Sequence, residues 1–571
     1  MTSDDEKVVV RFAAEERKPA TGPLTWGQRF IWDIAKSLAP HDEHMNLTLI
    51  VPVPAGLSMH DVAGALATLL VRHASLRTQY LVDNDLEPCQ IELSNGELEL
   101  HISPIRTGPR QSSAELATLL AGRSFDLATE LPMRAGICVE DDKPRVVVLA
   151  FSHIVADARG TQILRRDLEK LLSGRDLDKP PEHRPIDQAA FETSAPGRHI
   201  ENESLAYWQS RLRLFPRTMF ATNPRAAAAP RYWRGLLSSP ALALGVLALM
   251  SRYRITANSV ILTAFSLYID YLARIDRCAL VVQVGNRLGR GRTGSVGTFL
   301  QEVPVAFEVD RSSFEMTARA VQNEVIRSAR YARCSPAKVR KLRDDIDAER
   351  GTRITIDTMI NTVGLPSATP PSIPESNQEL SALLARLRTK TKFSWMEKRE
   401  VEGVKLLAIS NLPFETWISV LADTACLPPA DVRALLLGIE RLIIHVATAD
   451  DEPSAAIRES GLVPFYRGPE WRKLGESWTD MEATAAMIAE HAGVGREAVH
   501  LTVGDELIAY VAGQLSQHEF DRVPRECFAA LAQDETVALP DRFVLVDQFP
   551  PPALGADGWR RQPALAVANW R

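Results

Sequence analysis

The residues of this chain best suited to chemistry lie in the stretch Val146–Gly160, VVVLAFSHIVADARG. Its valine-rich opening predicts a strand buried on both faces. The run breaks at Ser152-His153, Asp157 follows four residues after the histidine, and ILRRDLEKLL then carries apolar residues at helical spacing. A strand that ends in a histidine and turns into a helix puts an imidazole at the lip of a sheet, where reactants reach it. With an ordinary pKa near ~6.5, an imidazole can accept a proton at neutral pH. A lone histidine beside an apolar strand is more often a packed core residue than a catalyst, so His153 gains weight only from the chain around it.

That chain is long enough for several cores. Its 571 residues predict about three or four units at roughly 150 residues each. The composition, 45% hydrophobic and 24% charged, is that of a soluble globular protein. A net charge of −6 argues against a general nucleic-acid binder, which would carry a basic stripe. The six cysteines are too scattered for a zinc knuckle or a redox pair, so no metal site is expected. The N-terminus MTSDDEKVVVRF has no apolar signal core, and no run reaches the 18 to 20 apolar residues of a membrane span. The expectation is a cytoplasmic protein that binds neither nucleic acid nor membrane.

The elements that must hold the histidine alternate between helix and strand, an α/β pattern. Thr25 and Ser58 are placed to cap helices beginning WGQRFIWDIAK and MHDVAGALATLL. The segments LTLIVPVPAG (47–56), a pair around 89–101, LPMRAGICVE (131–140) and PRVVVLAF (144–151) read as strands, with a helix over 113–129. Asp141-Asp142-Lys143 reads as the turn joining the last two strands. Residues 255–275 form a helix apolar nearly all round and therefore buried. Further strands are expected at 278–287, over FLQEVPVAFEVD (299–310), at 353–363 and at 404–413, and a long helix ends near 448. Beyond a charged linker, a small helix-and-strand unit closes the chain. The boundaries are 1–180 and 181–448 for two similar lobes, 449–470 for the linker and 471–571 for the tail.

Several pieces, in order, resemble the condensation domains of nonribosomal peptide synthetases, members of the chloramphenicol-acetyltransferase-like superfamily. PLTWGQRFIW resembles the first motif of that family, RHASLRTQY (72–80) its RHExLRTxF motif, and FDLATELPMRAGI (125–137) its FDL…PLLRA stretch. SHIVADARG stands where HHxxxDG is expected, and VGNR (284–287) with SVGTFLQEVPVAF (295–307) resembles the arginine-containing strand and the GxFVNT motif. An HxxxD pattern alone is weak; five ordered motifs around it, agreeing over about 430 residues, are specific. The tail, ELIAYVAG followed by ALPDRFVLVDQFPPPALGADGWRRQPAL, resembles the small C-terminal subdomain of adenylation domains. Its lysine position reads Gly555-Ala556-Asp557, so the tail is expected to be a docking or stabilising remnant that activates no acid.

The resemblance implies two lobes meeting in a V, with the histidine in a tunnel reached from opposite faces by carrier-protein-tethered substrates. It implies acyl transfer from a phosphopantetheine thioester to an amine, with no permanently bound cofactor, because donor and acceptor carrier proteins bring the arm. His153 takes the family's second-histidine position, as base or as positioner, while Ser152 and Ala158 replace the first histidine and the glycine. Asp157 and Arg287 are implied to form a structural ion pair, and Ser152, Ala158, Gly160 and Asn361 are candidates to line the tunnel. Backbone N–H groups after His153 are further candidates to face a developing oxyanion. Two other readings stay open: ester formation with an alcohol acceptor, and a catalytically silent scaffold that binds carrier proteins.

Overall fold

A computed structural model describes residues 8–14, 20–84, 86–106, 108–223, 225–287, 291–364, 372–412, 417–449, 451–550 and 555–570. The chain divides into two compact units. The first comprises residues 1–204, 284–302 and 331–336, and the second comprises the remainder, including the C-terminal part.

A five-stranded sheet forms the centre of the first unit, in the order Val8–Ala13, Asn95–Pro104, Met133–Glu140, Lys143–Phe151, Leu47–Pro52. Lys143–Phe151 has an antiparallel neighbour on each side, and from Val146 to Phe151 it is paired on both edges. Its side chains alternate between two cores. Val147, Leu149 and Phe151 pack with Val62, Leu66 and Leu69 of helix Met59–Arg72 and with Ile163, Leu164 and Leu168 of helix Ala158–Leu172. Val146, Val148 and Ala150 pack with Leu116, Ala117 and Leu120 of helix Pro109–Ala121. Burial on both faces explains the unbroken apolar run. The hairpin loop is Asp141-Asp142, closed by the pair Glu140 and Lys143. Both aspartates have positive φ, 49° and 56°, the mirror-image turn whose twist suits antiparallel strands.

Two expectations in this unit are corrected. The helix expected over 113–129 runs from Pro109 to Ala121, with proline in its first turn after Gly108. The two strands around 89–101 do not pair with each other. Pro88–Glu92 joins Thr21–Pro23 and Thr78–Val82 in a three-stranded sheet, whereas Asn95–Pro104 joins the central one.

In the second unit a seven-stranded sheet runs in the order Gln301–Glu308, Arg277–Val284, Thr358–Gly364, Leu406–Leu412, Trp417–Asp423, Tyr232–Ser238, Lys392–Arg399. Only Thr358–Gly364 of the expected 353–363 segment is strand. Helix Ala257–Ala273 is buried almost throughout, and its hydroxyls turn back onto the helix, Thr263 Oγ1 donating to Ser259 O and Ser266 Oγ to Leu262 O. No single helix among the described residues is long and apolar enough to cross a membrane. Pro240–Tyr253 and Ala257–Ala273 together have the length and composition, but they bend by 104° and are largely buried.

The C-terminal part of this unit has its own four-stranded sheet, Val499–Val503, Leu507–Ala512, Arg542–Val546 and Ala564–Ala568, over a core containing Ile488, Phe520, Cys527 and Phe543. Helix Gln517–Ala530 starts well before Pro524, capped by Ser516 with Glu519 in a reciprocal box, and carries the proline inside. Gly555, at φ 50°, opens the short helix Gly555–Arg561. Arg217 anchors this part to the rest of the unit. It is 7% exposed, its guanidinium donates to Val537 O, Trp478 O and Thr479 Oγ1, and its N–H donates to Ser477 Oγ.

Candidate active site

His153 is the second residue after strand Lys143–Phe151 and precedes helix Ala158–Leu172 by a single turn. Ser152 N–H donates to Pro132 O at 3.1 Å, which fixes the strand exit, and Val155 N–H returns to Ser152 O at 3.0 Å, which closes the turn. Asp157 caps the helix, its Oδ1 accepting from Gly160 N–H at 2.9 Å. Only residues 152–157 therefore separate two rigid elements, and the histidine has little freedom to wander.

The carboxylate of Asp157 points away from the imidazole in its bonding. Besides Gly160, Oδ1 accepts from Arg287 Nη2 at 2.5 Å, and Oδ2 accepts from Phe299 N–H at 3.2 Å. The two charged side chains are 6% and 10% exposed. Arg287 also donates to Ser295 O at 2.7 Å and to Gly297 O at 3.0 Å, and its guanidinium lies 4.5 Å from the centre of the Phe299 ring. A buried cation with this many acceptors and an aromatic face is well compensated. Asp157, Arg287 and Ser295–Phe299 thus form a single polar knot beside the histidine turn.

The half-buried His153 keeps Nδ1 inside, where it has no hydrogen-bond partner among the described residues. Burial lowers its pKa below the ordinary 6.5, outweighing its own and Ala156's carbonyls and the Asp157 charge, which pull upward. At neutral pH the ring is therefore uncharged and one nitrogen holds a free lone pair. Such a ring can accept a proton or hold one in a hydrogen bond.

The amides after His153 are less available than expected. Val155 N–H is bound to Ser152 O, Asp157 N–H to Gly297 O at 3.3 Å, and Gly160 N–H to the Asp157 side chain. Three donors at the helix start are thereby spent within the protein.

The other candidate residues fall in different settings. Ser152 is half-buried next to the histidine. Ala158 is exposed at the first helical position and does not have positive φ, so its Cβ is accommodated without strain. Gly160 is buried, and a Cβ there would lie 3.0 Å from Ala156 Cβ and 3.5 Å from Gly297 O. Asn361 belongs to the second unit, in strand Thr358–Gly364 opposite Ile409. Among the described residues no three histidine, cysteine, aspartate or glutamate side chains are grouped to hold a metal.

The first two motifs are tied into the same unit. Gln28 donates to Gln90 Oε1 at 3.1 Å, and the buried Arg77 donates to Glu92 Oε1 at 2.8 Å, which also accepts Arg184 on its other oxygen at 3.0 Å. What the motif residues do not announce is the part played by Gly27 and Thr298. Thr298 Oγ1 donates to His153 O, and the Thr298 carbonyl lies where a Cβ on residue 27 would be.

The fold is mixed α/β, with the histidine turn in the first of its two compact units. Residues 20–393 match the condensation-domain family, and the chain belongs to that family. The structure resembles the condensation domain of the Monacolin K polyketide synthase MokA, with a TM-score of 0.60 at 18% identity, covering 76% of this chain and 98% of that one. It also resembles SgcC5 from Streptomyces globisporus, with a TM-score of 0.59 at 16% identity over 76% and 99% of the two chains. Among curated relatives, Fusarin C synthetase of Gibberella moniliformis is 24% identical over 300 residues, which is 51% of this chain. The chain spans about 7% of the length of that relative.

Proposed function

We propose that this chain is a condensation enzyme that joins a carrier-bound acyl group to an amine. The acceptor nitrogen attacks the carbonyl carbon of a phosphopantetheine thioester, the C–S bond breaks, the thiol leaves on the donor carrier protein, and an amide remains. The thioester is already activated, so the main requirement is to place the acceptor about 3 Å from the carbonyl and to manage one proton. His153 accepts that proton or holds the amine by a hydrogen bond. The observation that carries this reading is an imidazole kept neutral by burial, fixed between a strand end paired on both edges and a capped helix, with the nearby carboxylate committed elsewhere.

Asp157 and Arg287 are assigned a structural role, since neither bonds to the imidazole and both are engaged with each other and with backbone groups. Acyl and peptidyl carrier proteins are the partners on this reading, and the phosphopantetheine arm they carry is the only cofactor it requires. Intact-protein mass spectrometry of loaded donor and acceptor carrier proteins, before and after incubation with the enzyme, tests it. The acceptor should gain the acyl mass with wild-type enzyme and not with His153→Ala. Full product formation by His153→Ala overturns the assignment. Pairing one donor with amine and alcohol acceptors in parallel separates amide from ester formation, and carrier binding with no turnover on any acceptor marks a silent scaffold.

A further inference from the structure

We propose that Thr298 is a positioning residue for His153, and that Gly27 is glycine so that Thr298 can take up that position. The inference rests on the reading of His153 as the group that handles the acceptor's proton. Three consecutive residues, Gly297, Thr298 and Phe299, grip the histidine turn at both ends. Thr298 Oγ1 donates to the carbonyl of His153, Gly297 O accepts from Asp157 N–H at 3.3 Å, and Phe299 N–H donates to the Asp157 carboxylate at 3.2 Å. Asp157 is additionally held by Arg287 and by its own helix. At the other end of the turn Ser152 N–H is held by Pro132 O and the His153 carbonyl by the Thr298 hydroxyl, and Thr298 is 2% exposed, so water does not replace that donor.

The placement of Thr298 depends in turn on helix Trp26–Leu38. A Cβ on residue 27 would lie 2.3 Å from Thr298 O, 3.0 Å from its carbonyl carbon and 3.2 Å from Phe299 Cα. These are backbone atoms, which cannot rotate away as a side-chain tip can. The helix cannot yield easily either. Its start is fixed by the reciprocal cap between Thr25 and Gln28, and Trp26 N–H donates to the buried Glu192 at 2.7 Å. Glycine is a poor helix former, so its presence in the first turn runs against local propensity and is accounted for by this contact. A chain of contact therefore runs from Gly27 through Thr298 to the backbone of His153.

Three variants test the proposal: Thr298→Val, which keeps the branched shape without the hydroxyl, Thr298→Ser, which keeps the hydroxyl, and Gly27→Ala. Two readouts are taken on the full chain, condensation kinetics with loaded carrier proteins and hydrogen-exchange mass spectrometry of the peptide covering residues 152–158. A displaced catalytic group of about 1 Å costs on the order of 100-fold in rate. Thr298→Val and Gly27→Ala should lower kcat by roughly 10–100-fold on that scale, with KM for the carrier substrates within about twofold. Both should accelerate exchange in 152–158 while leaving strand Lys143–Phe151 protected, and Thr298→Ser should restore both readouts. Unchanged exchange in Thr298→Val and Gly27→Ala overturns the positioning role whatever the activity. Accelerated exchange with unchanged kcat overturns it as well, because the turn then moves without consequence. If His153→Ala is fully active, the failure lies in the assignment of His153, and the exchange data separate that outcome from a failure of the contact.

Discussion

Replacing Asp157 by asparagine is the sharpest test of the knot beside the histidine. The shapes match, so the change is one of charge and donor pattern. Asp157 accepts on both oxygens, Oδ1 from Arg287 and Gly160 and Oδ2 from Phe299. An asparagine has one acceptor oxygen and one donor NH2. With its oxygen toward Arg287, the NH2 meets the Phe299 N–H; flipped, it meets both the Gly160 N–H and the guanidinium. No orientation satisfies all three donors. Arg287 then remains buried, at 10% exposure, without its counter-charge. Breaking a buried pair by removing one partner costs about 3–5 kcal/mol. Arg287 keeps the Ser295 and Gly297 carbonyls and the Phe299 ring, which places the expected loss near the lower end, about 3 kcal/mol. At 1.36 kcal/mol per decade this is on the order of 100-fold in the local opening equilibrium. Native-state hydrogen exchange of strand Lys143–Phe151 and helix Ala158–Leu172 reads it directly. The double variant Asp157→Asn with Arg287→Met should be less destabilised than Asp157→Asn alone, because the stranded cation is gone. A loss below about 1 kcal/mol, the worth of an exposed pair, refutes the reasoning, as does a double variant no better than the single one.

Other consequences are open to measurement. Because burial lowers the His153 pKa, the acidic limb of kcat/KM should have its midpoint below pH 6.5; a midpoint above that value contradicts a buried neutral imidazole. Burial raises the carboxyl of Glu192 from an ordinary 4.5 to about 8, so it stays protonated in the folded chain while the unfolded chain ionises it. Its contribution to stability is therefore lost as pH rises from about 4.5 to about 8, and Glu192→Gln should flatten that slope in denaturation midpoints measured across the range. Arg217→Leu strips donors from the buried Val537 and Trp478 carbonyls and the Thr479 hydroxyl, at about 1–3 kcal/mol for an unsatisfied buried group. Exchange in the hairpin Trp471–Leu474 and Ser477–Asp480 should accelerate at least about tenfold at that cost, and unchanged protection would show that the C-terminal part is held by other contacts.

Local chemistry made much of the first unit readable. Valine after valine from 146 to 148 requires a strand with two buried faces, and the two cores on either side of Lys143–Phe151 supply them. Thr25, Ser58 and Asp157 are cap residues whose acceptors reach the amide three residues on, a contact within one turn that needs no tertiary partner. Elements set by long-range packing were less legible. Pro240–Tyr253 is apolar on every side, and such a run has no period that marks it as helix. Helix Gln517–Ala530 carries Pro524 in its interior, a residue that by itself marks a helix start or break, and Ser516 caps it two turns earlier. Strands 88–92 and 95–104 are neighbours in sequence and belong to different sheets, because pairing is chosen by which edges are free.

At the site the division is the same. The order of residues by itself determined that an imidazole stands where a buried strand gives way to a capped helix, since strand period, break and cap all lie within fifteen consecutive residues. Tertiary structure alone decided how that imidazole is held. The hydroxyl on the His153 carbonyl comes from Thr298, the space for Thr298 comes from Gly27, and the amides after the histidine are consumed by Gly297 and the Asp157 carboxylate. The contacts made by Thr298, Gly27 and Gly297 join residues more than a hundred positions apart, and their existence depends on ångström-scale distances between backbones that no local spacing encodes.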